Sequence, residues 1–258
     1  MLRFSANLSM LFLEYSFLER FDKAAQAGFR GVEFMFPYDY DIDVLKAKLQ
    51  TNKLEHTLHN LPAGDWAAGE RGIACIPGRE EEFRDGVAAA IRYAKGLGNK
   101  KINCLVGKTP AGFSAEQIQQ TLVENLRYAA NMLAKEDILL LIEPINHFDI
   151  PGFFLTGTHQ ALALIDSVGC NNIKIQYDIY HMQRMEGELT QTMTTWANKI
   201  GHLQIADNPR RGEPGTGEIN YDFIFKFIDK SGYDGWIGCE YKPLTTTEAG
   251  LSWINQYR

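Results

Sequence analysis

The sequence predicts an α/β chain closed into a single (β/α)8 barrel, and three observations carry that prediction. Eight short β-rich runs alternate with eight longer segments of helical period. Several of the helical segments end in glycine just before the next strand, in AQAGFRGVEF, KGLGNKKINC, DSVGCNNIKI and DKSGYDGWIG, where a left-handed cap turns the chain back. Eight such units within 258 residues match one closed barrel in size, with a doubly wound sheet as the structural alternative.

In chain order, strand Arg3 to Asn7 precedes helix Tyr15 to Ala27, and strand Gly31 to Phe34 precedes helix Ile42 to Gln50. Strand Leu54 to His59 is followed by the long irregular segment Leu61 to Arg79 and then by helix Glu80 to Gly96. That segment, rich in Gly, Ala and Pro, falls on the catalytic face of a barrel; it reads equally as a lid and as an ordinary surface loop with Trp66 packed down. Strands Lys101 to Leu105, Ile138 to Ile142, Ile173 to Tyr177 and Gly201 to Ile205 follow, alternating with helices Ala115 to Lys135, Thr158 to Ser167 and Thr190 to Asn198. Helix Tyr221 to Lys230, strand Trp236 to Cys239 and helix Thr247 to Trp253 complete the eight units. No linker or low-complexity tract divides them, so residues 1–258 read as one catalytic domain.

Composition narrows the function classes. A hydrophobic content of 45% supplies a substantial core, and a net charge of −6 argues against nucleic acid as a partner, since backbone binding needs many cationic contacts. Cys75, Cys104, Cys170 and Cys239 are widely spaced and form no CxxC pair, which reads as reduced thiols in the cytoplasm. No segment reaches the roughly 18 uncharged apolar residues of a membrane span. Nothing in the helices marks a partner surface, which leaves a homo-oligomer open.

The chemistry is written where the apolar runs stop, because the C-terminal strand ends of a barrel converge on one face. Strand two ends near Glu33, strand three at His59 and Asn60, and strands five to eight at Glu143, Asp178, Gln204 and Glu240. Buried like charges repel, and a cation resolves the conflict. Two Glu, one Asp and an amide carbonyl form an all-oxygen set suited to Mg²⁺ or Mn²⁺, and less naturally to zinc. The blander readings are ordinary ion pairs for Glu143 and Glu240, with Lys242 beside the latter, and a packed amide for Gln204. In IQYDIYHMQ, a strand-end Asp178 can bind the ion while the turn after it brings His181 to a substrate oxygen. Arg210 and Arg211 lie in the loop IADNPRRGEPGTGEINY, where either could clamp a carboxylate or merely face solvent. His56 and His59, three apart, fall on opposite faces of a regular strand, which leaves strand-end His59 as the substrate-site candidate. Two carboxylates beside one divalent ion suit proton transfer between adjacent carbons, although the same ligands could hold phosphate or activate water for hydrolysis.

RFSANLSMLF, FMFPYDY, HTLHNLPAGDWAAGERGIACIPGR, LIEPIN, QYDIYHMQRMEG, HLQIADNPRRGEPGTGEINY and GWIGCEYKP together resemble the bacterial hydroxypyruvate isomerase family, over nearly the whole chain. That family belongs to the xylose-isomerase-like TIM barrels. The resemblance implies reversible conversion of hydroxypyruvate, a small 2-oxo acid, and tartronate semialdehyde in glyoxylate metabolism. It implies Glu143 and Glu240 as the proton-transferring carboxylates, both also metal ligands with Asp178 and Gln204, and it puts His181 and Arg210 against the substrate. A 2-oxo-tetronate isomerase or related ketose epimerase is the alternative it carries. A metal-dependent phosphodiesterase or endonuclease is disfavoured by the few strand-end histidines.

Overall fold

The computed structural model describes residues 1–257. Eight parallel strands close in sequence order: β1 (Arg3–Asn7), β2 (Gly31–Glu33), β3 (Glu55–Asn60), β4 (Lys101–Cys104), β5 (Leu139–Ile142), β6 (Ile173–Asp178), β7 (Ile200–Ile205) and β8 (Trp236–Cys239), with β8 pairing back onto β1. The helices around it are α1 (Phe17–Gln26), α2 (Ile42–Asn52), α3 (Glu80–Leu97), α4 (Ala115–Ala134), α5 (Thr158–Val168), α6 (Ile179–Met185), α7 (Leu189–Thr195) and α8 (Tyr221–Ser231). The doubly wound alternative is thereby set aside. Among the described residues no helix is long and apolar enough to cross a membrane, and the four cysteines form no disulfide.

Local chemistry accounts for the helix limits. Ser16 with Glu19 and Ser114 with Gln117 form capping boxes that satisfy the first free N–H groups of α1 and α4. All four glycines expected at helix ends, Gly28, Gly98, Gly169 and Gly232, have positive φ. The helices then pack through one apolar stripe each: in α4, Ile118, Leu122, Leu126, Ala129 and Leu133 recur at three- and four-residue spacing and are buried. Each buried leucine contributes roughly 1.5–3 kcal/mol through the water it sheds.

Two elements depart from the sequence reading. The chain leaves β6 directly into α6 with no intervening turn, and the last helix, Ala249–Gln256, is a 3-10 helix. Its Trp253 packs edge-on to Phe4 of β1 at 5.2 Å and stacks on Phe225 of α8 at 5.5 Å.

His56 and His59 also depart from expectation. The β2–β3 register shifts between Val32 and Glu33, and this irregularity breaks the two-residue alternation along β3. The two imidazoles therefore share a side: they stack on each other at 5.2 Å, and His56 stacks on Phe34 at 4.2 Å. Both are buried in the layer between barrel and helices, where His59 Nδ1 meets the Asn99 side-chain amide at 3.1 Å. Burial pushes His59 down to about 4 and holds His56 well below its ordinary value, with the neighbouring His59 adding to the effect on His56.

A pH dependence follows from these neutral histidines. Their contribution to stability is complete above the unfolded value near 6.5 and is lost as the pH falls toward 4, where the unfolded chain takes protons that the folded chain refuses. The loss from His59 alone is about 3 kcal/mol. His59→Asn keeps an acceptor for Asn99 and cannot titrate there; denaturant unfolding between pH 7 and pH 4.5 should give a less stable chain with a flatter pH profile than the unsubstituted one.

Candidate active site and metal centre

Four carboxylates stand at the C-terminal ends of the strands, and all are buried: Glu33 closing β2, Glu143 after β5, Asp178 closing β6 and Glu240 after β8. Side-chain amides point between them. Asn7 and Gln204 each direct an NH2 group to both Glu33 Oε1 and Glu240 Oε2, at 3.1 and 3.2 Å from Asn7 and 2.7 and 2.6 Å from Gln204. Asn103 and Gln176 donate to Glu143 Oε2 at 3.0 and 2.9 Å. Glu33 Oε2 meets His202 Nε2 at 2.9 Å, and Gly238 leaves the space its carboxylate fills, since a Cβ there would lie 2.4 Å from Glu33 Oε1. Opposing them is one half-buried guanidinium: Arg211 Nη2 lies 2.6 Å from Glu240 Oε1 and 3.7 Å from Asp178 Oδ2.

One guanidinium does not neutralise this set. Burial pushes Glu240 up to about 8, with Arg211 pulling it down and Asp178 and Glu33 pushing it further up. Burial, Glu240 and Asp178 hold Glu143 well above the carboxylate range. Asp178 rises to about 6 through burial, against the pull of Arg211 and of backbone N–H groups. Carboxylates raised in this way hold protons or gather a cation.

Asp178 shows where a cation fits. It is both the last residue of β6 and the N-cap of α6, its Oδ1 accepting the Tyr180 N–H at 2.8 Å. Its Oδ2 is buried with no hydrogen-bond partner, the contact with Arg211 being too long for one. One donor atom each from Glu143, Asp178 and His181 lie within 4.8 Å of one another. A divalent cation would satisfy the orphaned oxygen and relieve the repulsion, and the two carboxylates of the set fit a hard ion.

His181, three residues into the junction, is buried with Nε2 at 3.5 Å from Asp178 Oδ2 and 3.8 Å from Glu143 Oε1. Asn146 fixes its tautomer. The Asn146 Oδ1 accepts the Asp149 N–H at 2.8 Å, which turns its Nδ2 toward His181 Nδ1 at 2.6 Å. The acceptor role of Nδ1 leaves the proton of the neutral ring on Nε2, facing the carboxylates. Burial, with Arg211 and Arg184 nearby, keeps the ring neutral. Gln204, by contrast, turns its nitrogen to the carboxylates while its carbonyl accepts from Gln176 at 2.7 Å; presenting oxygen to an ion requires the amide to rotate.

The loop after β7 separates the two arginines. Asp207 accepts N–H groups from Asn208, Gly215, Gly217 and Ile219 at 2.9 to 3.0 Å and so organises the turn. Arg211 adopts positive φ, its carbonyl accepts the Lys242 N–H at 2.7 Å, and its side chain enters the site; Arg210 stays exposed and lines no part of the cavity. The structure thus brings together Glu143, Asp178, His181, Gln204, Arg211 and Glu240. It does not bring in Arg210 or His59, the latter turned outward by the irregularity in β3.

A cavity of about 360 Å³ opens over the cluster, lined by Glu143, Gln176, His181, Arg211 and Glu240 below and by Trp66, Arg71 and Lys242 toward the mouth. Two larger hollows, of about 580 and 610 Å³, lie at the opposite strand ends and contain none of these groups. The amides Asn7, Asn103 and Gln176 escaped the sequence reading; their signal is a lone amide inside a short apolar strand. Arg71 and Trp66 carry no such signal, because only the folded path of the segment after β3 brings them to the site.

The family described as xylose isomerase-like TIM barrel matches residues 21–257. A hydroxypyruvate isomerase of Escherichia coli is 84% identical over all of both chains, and a 2-oxo-tetronate isomerase of Cupriavidus necator is 47% identical over 99% of this chain and 98% of its own. The crystal structure of a Brucella melitensis protein named AP endonuclease, family 2, superposes with a TM-score of 0.97 at 46% identity over all of both chains.

Substituting Asp178→Asn keeps the N-cap and removes one ligand charge. Calorimetric titration with Mn²⁺ should show affinity reduced by about 100-fold or more, whereas denaturant unfolding in chelator should show stability unchanged or raised by about 1 kcal/mol, because a desolvated like charge is gone.

Proposed function

The chain belongs to the xylose isomerase-like TIM barrel family, and from that premise we propose that it is a hydroxypyruvate isomerase, interconverting hydroxypyruvate and tartronate semialdehyde. The observation that carries the reading is the pair of buried carboxylates lining one cavity, Glu143 and Glu240, at raised pKa beside an orphaned Asp178 oxygen. Full-length identity of 84% to a hydroxypyruvate isomerase supports the substrate.

Glu143 and Asp178 would hold the ion, with Glu240 and, after rotation of its amide, Gln204; Mg²⁺ or Mn²⁺ suits such oxygens. When bound, the ion supplies electrostatic stabilisation to the enediolate oxygens. The reaction itself moves protons between neighbouring atoms. C3 of hydroxypyruvate loses a proton to one glutamate, C2 gains a proton from the other, and the hydroxyl proton passes from O3 to O2. A raised pKa is what a carboxylate needs to take and return a carbon-bound proton near neutrality. Glu143 is held by neutral amides alone, Glu240 by Arg211 as well, so the two differ in basicity and can exchange roles as the direction reverses. His181, with its Nε2–H directed into the site, donates to a substrate oxygen, and Arg211 orients Glu240.

Two other readings have specific support. The 47% identity to a 2-oxo-tetronate isomerase keeps a four-carbon acid as the alternative, and the cavity of about 360 Å³ has room for it. The name of the Brucella structure suggests nucleic-acid hydrolysis, but here the cavity holds one histidine, His181, and the chain carries a net charge of −6.

Incubation with hydroxypyruvate in deuterium oxide should yield tartronate semialdehyde bearing solvent deuterium; neither product nor exchange would end the isomerase reading. Glu143→Gln and Glu240→Gln should each lower kcat by about 100- to 10,000-fold with the fold intact by circular dichroism. Chelator should abolish turnover, and added Mg²⁺ or Mn²⁺ restore it. A higher kcat/KM on 2-oxo-tetronate than on hydroxypyruvate would select the four-carbon substrate instead.

A further inference from the structure

Resting on the isomerase reading, a substrate that carries a carboxylate must enter a cavity whose floor is carboxylates, and some cation has to receive it. Three line the cavity: Arg71, Arg211 and Lys242. Arg211 is spent on Glu240 and Asp178. Lys242 is exposed, a mobile point charge on a long stem that salt screens. Arg71 differs from both. Its guanidinium lies 3.9 Å over the Trp66 ring, and Nη1 donates to the Trp66 and Glu70 carbonyls at 3.1 and 2.6 Å. Those contacts fix the plane of the group, while its Nε and Nη2 make no hydrogen bond among the described residues. A fork already held in place, with one edge free, suits a carboxylate, because little side-chain entropy remains to be lost on binding.

The backbone beneath it is pinned as well. Gly72 N–H donates to the Ala63 carbonyl at 2.9 Å and closes the neck of the excursion that carries Trp66. Gly72 has φ +109°, and a Cβ there would lie 1.9 Å from the Leu105 carbonyl oxygen, so only glycine lets the chain pass the end of β4 next to Arg71. Lys108 Nζ holds the Gly69 carbonyl at 2.9 Å, Glu70 pairs with Arg79, and Trp66 rests on Phe36 at 5.1 Å.

We propose that Arg71 is the residue that binds the substrate carboxylate, through its Nε–Nη2 edge, and so selects 2-oxo acids over uncharged sugars of the same carbon skeleton. The anchor then comes from the segment after β3, whereas the reacting groups come from β5 to β8.

The test uses the full chain with Mg²⁺ and the variants Arg71→Ala and Arg71→Lys. Arg71→Ala should raise KM for hydroxypyruvate by about 30- to 100-fold, with kcat reduced far less, and Arg71→Lys should recover part of the difference. Competitive inhibition separates charge recognition from loop shape. The Ki of D-glycerate, which has the carboxylate, should rise in parallel with KM, while that of dihydroxyacetone, which lacks it, should change by less than about twofold. Unchanged KM and D-glycerate Ki would overturn the assignment, as would equal weakening of both inhibitors, which would mean that Arg71 only shapes the loop. Absence of turnover by the unsubstituted chain would instead overturn the isomerase reading, and D-glycerate affinities measured by calorimetry would then still decide the role of Arg71.

Discussion

Mutual repulsion among buried carboxylates governs the upper half of this barrel. Glu33, Glu143, Asp178 and Glu240 are withdrawn from water at strand ends, and in such surroundings like charges interact strongly. The chain answers with amides more than with cations. Asn7, Asn103, Gln176 and Gln204 direct NH2 groups to Glu33, Glu143 and Glu240, which fixes those three carboxylates without cancelling their charge, while Asp178 is held by the Tyr180 N–H. An arginine in each of those places would have paired the acids and left no use for an ion. Neutral donors leave the acids without countercharge, a state suited to a divalent cation or to proton exchange.

The same constraint orders the layers below. Glu33 and His202 occupy the barrel interior beneath Gln204, so the amide that touches Glu240 is itself held from below. The groups directly around the reaction thus rest on a buried polar layer rather than on hydrocarbon, and side chains several residues apart in depth share one hydrogen-bond network.

Most of the framework was legible in the sequence because short-range chemistry dictates it. Glycine caps, capping boxes and apolar runs lie within a few residues of the elements they define, and the strand-end acids follow once those runs are found. What escaped depends on geometry that spacing does not encode. One register irregularity in β3 sends His59 outward, although a regular strand would leave it on the other side from His56. One positive φ, supported by the Asp207 turn, distinguishes Arg211 from its neighbour Arg210. The orientation of the Gln204 amide depends on Gln176 and Glu33, partners 28 and 171 residues away. Such choices are settled by contacts distant in sequence, and no local pattern announces them.

The direct passage from β6 into α6 has a consequence for how this protein can change. Asp178 ends the strand and caps the helix, so no slack separates its carboxylate from His181. A residue inserted between them would turn the imidazole by about 100° around the helix axis and carry it out of the cavity. The segment after β3 is held at the Ala63–Gly72 neck and by Lys108, Arg79 and Phe36, but its exposed tip at Ala67 and Ala68 can lengthen without moving a strand. Variation in what the barrel accepts can therefore accumulate in that excursion, while the junction after β6 can change its residues but not its length.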